Sequence, residues 1–140
     1  MPELPEVETV CNGMKLSMMG RVIKSVKIRR PDLRWPFPDK MGCRITGKTV
    51  FNIRRRAKYI LLDLDSNETL IIHLGMSGTV HLTKRNSISK FTNTSFYNSP
   101  MLPKKHNHVE IHFESLRIIY NDPRRFGFFK FIENKKELEK

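Results

Sequence analysis

His108-Val109-Glu110-Ile111-His112-Phe113-Glu114 changes character at every residue. Val109, Ile111 and Phe113 fall on one side, and His108, Glu110, His112 and Glu114 on the other. A period of two belongs to a β-strand with one face on a core, because successive side chains of a strand point to opposite faces. The same reading extends along the chain. Val22–Arg29, Thr49–Arg54, Tyr59–Asp63, Thr69–Leu74 and Gly78–Thr83 come before this stretch, and Leu116–Asn121 and Gly127–Ile132 after it. Short strands separated by turns fit an antiparallel sandwich or barrel. The expectation is a mainly β fold with flanking helices, namely an antiparallel β-sandwich preceded by an N-terminal helix.

The helix is read from the first twenty residues. Pro2 and Pro5 flank its start, with Glu3, Glu6 and Glu8 in or near the first turn, where acids suit the positive end of the dipole. Val7, Val10, Cys11, Met14 and Met18 recur at helical spacing and predict one buried face, and Gly20 is a stop signal. Residues 84–106 are polar and proline-bearing and read as a long loop. From Glu133 onward the chain reads as the start of a linker or helix, which leaves residues 1–132 as the domain proper.

The 140 residues carry a net charge of +12. Residues 21–58 hold thirteen Lys/Arg against two acids, whereas 59–83 hold none against three acids. So basic a block is the footprint of a polyanion binder. By composition alone, nucleic acid, ribosomal, membrane-surface and heparin-type partners remain open, as does a solvated face kept for solubility. No apolar run approaches the roughly 20 residues that span a bilayer, and the start lacks a signal peptide's basic and apolar regions. Cys11 and Cys43 have no metal-ligand spacing around them, so no metal site is expected, and two buried free thiols are. A cytoplasmic, nucleoid-associated protein is the corresponding expectation.

Four stretches carry chemistry. With Met1 removed, Pro2 of Pro2-Glu3-Leu4-Pro5-Glu6-Val7-Glu8 presents a free secondary amine. An α-amino group with a pKa of about 8 is partly neutral at physiological pH and can attack an electrophilic carbon to form an iminium. The competing reading is a proline that only starts a helix. Arg54-Arg55-Arg56-Ala57-Lys58-Tyr59 is a basic run that could be a solvated face. Ile72-His73-Leu74-Gly75-Met76-Ser77-Gly78 sets Met76 on a turn between glycines, where a methionine is hard to bury, although core filling is its usual use. Asn121-Asp122-Pro123-Arg124-Arg125-Phe126-Gly127 joins two strands by an Asp-Pro turn from which Arg124 and Phe126 project, unless Phe126 packs inward.

Together these four stretches, in this order, resemble the N-terminal catalytic domain of bacterial formamidopyrimidine-DNA glycosylases, and the resemblance runs over nearly the whole chain. It implies removal of oxidised purines from DNA followed by AP-lyase β,δ-elimination through an N-terminal proline Schiff base. In that reading Pro2 is the nucleophile on C1′, Glu3 the acid/base, and Glu6 a supporting polar residue buried near the site. Lys58 and His73 hold backbone phosphates. Met76, Arg124 and Phe126, with Arg125 beside them, occupy the stack left by the everted nucleotide, a device known from other DNA-bending proteins. The implied partner is double-stranded DNA with oxidised purines or abasic sites, met by a monomer and not by a membrane. No cofactor is expected in this chain. The full-length family binds one structural zinc through C-terminal cysteines absent here, in a helical and zinc-finger domain to which 133–140 would lead. The chain is therefore expected to be a truncated piece, weakly active or inactive alone. Two other readings stand beside this one: an endonuclease VIII-type glycosylase for oxidised pyrimidines, and a non-catalytic DNA-binding module of the same fold.

Overall fold

The structure is a computed structural model and describes residues 4–29, 36–75, 78–84, 87–92, 95–98, 107–122 and 124–132. Helix α1 spans Leu4–Met18. Strand β1 (Ser25–Ile28) and helix α2 (Met41–Ile45) follow. Then come β2 (Val50–Arg56), β3 (Tyr59–Leu64), β4 (Thr69–His73) and β5 (Thr79–Lys84). The series closes with β6 (Ser87–Thr92), β7 (Ser95–Asn98), β8 (Asn107–His112), β9 (Arg117–Asn121) and β10 (Phe128–Ile132).

Among the described residues two antiparallel sheets result. One has six strands in the order β1-β8-β9-β5-β6-β7, the other four in the order β10-β4-β3-β2. Their facing sides share one core, to which α1 contributes Val7, Val10, Cys11, Met14 and Met18. The sandwich expectation holds, and so does the helix. α1 lies against β2 and β3 of one sheet and β6 and β7 of the other, so it closes one open side. On β1, α2 packs through Met41 and Ile45, while Arg44 pairs with Glu68 and sits 3.9 Å over the Phe131 ring of β10.

Four expectations need correction. Residues 84–106 are not one loop, because β6 and β7 form a hairpin that extends the six-stranded sheet. Their few apolar residues, Ile88 and Phe91 in β6 and Phe96 and Tyr97 in β7, are not spaced two apart, so no period of two registers. Residues 22–29 do not form one strand. Gly20 to Ile23 exchange backbone hydrogen bonds with Gly47 to Val50, and only Ser25–Ile28 pairs with β8, so the chain switches sheets midway. The short helix α2 was not expected at all. Finally, Cys11 is buried but Cys43 is exposed, since Met41 and Ile45 claim the inner face of α2 and position 43 falls opposite them.

The alternation of 108–114 also has an unforeseen side. Val109, Ile111 and Phe113 enter the core, yet His108 and Glu110 on the polar face are buried too. Buried polar groups need partners. His108 Nε2 donates to the carbonyl of Asp122 at 2.7 Å. Glu110 gathers Arg29 at 2.7 Å, His112 at 3.3 Å and Arg117 at 3.6 Å.

Candidate nucleic-acid interface

Two chain segments cross from one sheet to the other at the same end of the sandwich. Residues 74–78 lead from β4 to β5, and residues 122–127 lead from β9 to β10. β4 pairs with β10 and β5 with β9, so the two crossings run side by side. Gly75 shows how closely. Its φ is +65°, and a Cβ there would lie 2.5 Å from the backbone of Phe126 and Gly127. The third and fourth sequence stretches, 46 residues apart between Gly75 and Asn121, thus become one surface.

The turn between β2 and β3 reaches the same end. Arg56 is in register with Tyr59, Tyr59 with His73, and His73 with Phe128. Residues directly opposite on antiparallel strands share a face, so Arg56, Tyr59, His73 and Phe128 form a row across all four strands, on the side away from the shared core. Tyr59 and His73 have centroids 5.4 Å apart. Lys58 heads this turn and is half-buried, and Ala57 beside it adopts the left-handed region with φ 51°. Arg55 donates to Ala57 O at 2.8 Å and pairs with Glu8 of α1, which anchors the second turn of the helix to this end of the sandwich. Arg54 pairs with buried Asp63 at 2.8 Å, and Thr69 donates to the same carboxylate at 2.7 Å. Two of the run's three arginines are thus tied into the fold rather than merely solvated.

The 122–127 turn is built on Asp122, which is fully buried. Its Oδ1 accepts the Arg125 N–H at 3.0 Å, and its Oδ2 accepts the Gly127 N–H at 3.0 Å and the Tyr120 hydroxyl at 2.7 Å. Arg125 takes a left-handed φ of 58°, which turns the chain back towards β10. Arg124, Arg125 and Phe126 are exposed, and the Arg124 guanidinium lies 4.9 Å from the Phe126 centroid. Phe126 is 40% exposed, so it does not pack inward. Burial, and then the Asp122 carboxylate, hold the Tyr120 phenol far above its usual pKa.

Of the residues expected from sequence, Lys58, His73, Arg124, Arg125 and Phe126 come together at this end. Glu6 lies in the first turn of α1 and is exposed, which corrects its expected burial. Position 6 is one turn ahead of buried Val10 and on the same side of the helix, so its exposure comes from its place at the start of α1 and not from its angle around the axis. Pro2, Glu3 and Met76 lie outside the described residues. Asp122 and Tyr120 were missed. Asp122 read only as a turn opener and Tyr120 only as a strand position, and nothing local shows that one hydroxyl joins them. Among the described residues no cluster of His, Cys, Asp or Glu could hold a metal ion, and no helix is long and apolar enough to cross a membrane.

Comparison with known proteins agrees with this geometry. Residues 1–129 match the family model described as formamidopyrimidine-DNA glycosylase N-terminal domain. The formamidopyrimidine-DNA glycosylase of Ruegeria sp. (strain TM1040) is 50% identical over 97% of the chain and 46% of its own length. That of Roseobacter denitrificans is 52% identical over 95% of the chain and 45% of its own length. A Lactococcus lactis Fpg solved in complex with an abasic site containing DNA superposes with a TM-score of 0.78 at 30% identity, covering 99% of this chain and 46% of that one. A second Lactococcus lactis structure, in complex with a DNA containing N7-benzyl-Fapy-dG, gives a TM-score of 0.78 at 31% identity. The chain spans about half the length of the relatives it matches. The chain belongs to the formamidopyrimidine-DNA glycosylase N-terminal domain family.

Proposed function

We propose that this chain carries the base-excision chemistry of its family, acting on oxidised purines and abasic sites in double-stranded DNA, and that residues 1–132 form the catalytic β-sandwich domain. The observation that carries the reading is the convergence of Lys58, His73, Arg124 and Phe126 on one end of the sandwich, with Glu8 of α1 tethered there through Arg55. An exposed phenylalanine beside an exposed arginine fits a wedge-and-fork arrangement. The ring enters a base step, and the guanidinium takes a base edge or a phosphate. Abasic-site DNA in the Lactococcus lactis neighbour supports the same partner here.

In the proposed sequence the unprotonated Pro2 nitrogen forms a bond to C1′ as the N-glycosidic bond breaks and the base departs. Glu3 supplies and recovers protons as the sugar ring opens. The resulting iminium is positively charged and acidifies C2′–H. Loss of that proton expels the 3′-phosphate in β-elimination, and loss of a C4′ proton then expels the 5′-phosphate in δ-elimination, which cuts the strand on both sides. Glu6, exposed on the first turn of α1, supports the site through charge. Lys58 and His73 hold the phosphates beside the lesion, while Met76, Arg124 and Phe126, with Arg125, fill the emptied stack. The structural zinc of longer relatives finds no ligand set among the described residues, and no step above is routed through it. Such a protein works in the cytoplasm, on the nucleoid.

Borohydride trapping on an abasic-site duplex tests this, after mass spectrometry has verified a free Pro2. A covalent adduct mapped to Pro2 is expected. Damage-specific binding without any adduct would favour the non-catalytic module. Preferential processing of oxidised pyrimidines would favour the endonuclease VIII-type reading.

A further inference from the structure

Tyr120 stands in the core between the sheets, its ring 5.1 Å from that of Phe129 and edge-on to it, and its hydroxyl reaches the end of the sandwich where the two crossings meet. There it donates to Asp122 at 2.7 Å. Both crossings are moulded around that hydroxyl. A Cβ on Gly127 would lie 1.9 Å from it and 2.6 Å from the His73 carbonyl. A Cβ on Gly78 would lie 2.6 Å from it and 2.3 Å from the Leu74 carbonyl. Gly78 N–H in turn donates to Leu74 O at 2.9 Å and closes its own turn. One oxygen therefore fills the space that a side chain would need at both glycines, while the carboxylate it feeds holds the amides of Arg125 and Gly127.

We propose that the Tyr120 hydroxyl and the Asp122 carboxylate are a positioning pair that locks the 74–78 and 122–127 crossings into one reading unit. Discrimination of damaged from intact duplex then depends on a hydroxyl that never touches DNA. The discrimination half rests on the proposed function, and the coupling half does not. A rigid unit keeps Arg124 and Phe126 at fixed spacing from Gly75 and Gly78, so the ordering of two separate turns is not required each time DNA binds. A lone turn held by Asp122 would need only the amides of 125 and 127. The phenol adds the second crossing.

The test uses the whole chain with Tyr120→Phe, which removes one oxygen, and Asp122→Asn, which keeps the shape. Ile118→Val on the same strand is the control for general loss of core stability. Hydrogen exchange of the Gly78 and Gly127 amides is measured in free protein, and affinity is measured for abasic-analogue and intact duplexes. Tyr120→Phe should speed exchange at both glycines by about tenfold, the worth of one hydrogen bond. It should lower the damaged-to-intact affinity ratio by several-fold, with the salt slope and the intact-duplex affinity unchanged. Faster exchange at Gly127 alone would overturn the coupling. An unchanged ratio, or an equal change in Ile118→Val, would overturn the positioning role. A wild-type chain with no preference for damaged duplex would sink the DNA reading, and the exchange data would still decide the coupling.

Discussion

The imidazole of His73 and the ring of Phe128 lie parallel, 5.0 Å between centroids and 7° between planes, on adjacent strands in register. The stack sets the plane of the histidine, and a backbone contact sets its proton. Gly75 N–H donates to His73 Nδ1 at 3.0 Å, so the neutral ring carries its hydrogen on Nε2. Nitrogen-15 correlation spectra above the histidine titration range should show the Nε2–H tautomer. Replacing His73 by Ala should cost about 1–2 kcal/mol in urea unfolding, from the lost stack and the lost acceptor.

Gly75→Ala faces two penalties at once. Its φ of +65° is in the left-handed region, and the new methyl would meet the backbone of residues 126 and 127 at 2.5 Å. The backbone penalty is about 1–2 kcal/mol and overpacking against an immovable neighbour adds about 1–3. Chemical denaturation should show a loss of about 2–5 kcal/mol, whereas Gly47→Ala, with open space around it, should lose only the backbone part.

The two thiols should separate cleanly. Burial, aided by Glu8, pushes the Cys11 thiol up to about 11, while Cys43 is exposed on α2. Since the thiolate is the reactive form, native protein should take up one equivalent of an alkylating reagent and unfolded protein two. Peptide mapping should place the native label on Cys43.

Glu110 gives the fold an acid-sensitive point. Burial alone would raise its carboxyl, but the hydrogen bond and charge of Arg29, and then those of His112, outweigh burial and hold it below the ordinary carboxylate value. A depressed folded pKa means that the native state binds this proton more weakly than the unfolded chain. The contribution is complete above the unfolded carboxylate pKa of about 4.3 and is lost as pH falls through the folded value. Glu110→Gln should cost about 1–3 kcal/mol at neutral pH, and stability should then fall less steeply on the acid side. Urea midpoints across pH check both.

Lys58 heads a turn, and among the described residues no hydrogen bond or ion pair ties its ammonium to the core. Lys58→Ala should leave the unfolding free energy within about 0.5 kcal/mol of wild type. It should lower the slope of log affinity against log salt by about 0.9, one phosphate contact released. A loss of stability with no change in salt slope would remove Lys58 from the phosphate-binding set.

Legibility from sequence followed the range of the interactions. Strands such as 59–63 and 69–74 were readable as short apolar runs bounded by polar residues, and both of their faces are buried, Ile60, Leu62, Leu70 and Ile72 in the shared core and Leu61 and Ile71 in a second cluster. The hairpin of β6 and β7 was not, because its apolar residues lack a period of two and its pairing is supplied by the neighbouring β5. The residues of the interface were singled out by their motifs, but Glu6 was expected inside and lies outside. What covers the start of a helix depends on how the helix is docked, and burial of Val7, Val10, Cys11, Met14 and Met18, with the Arg55–Glu8 pair across 47 residues beside them, sets that docking here.

The sequence by itself determined that this is a β-sandwich led by an amphipathic helix, since hydrophobic periodicity is a local property of each segment. It also determined which turns are conformationally constrained, since glycine, proline and charge at fixed offsets constrain a turn wherever it lies. Only the tertiary structure decided that those turns are neighbours. That follows from strand order, with β4 beside β10 and β5 beside β9, and from a tyrosine hydroxyl whose two contacts come from segments more than forty residues apart. No local rule encodes such a meeting, because it exists only once the two sheets have closed on a common core.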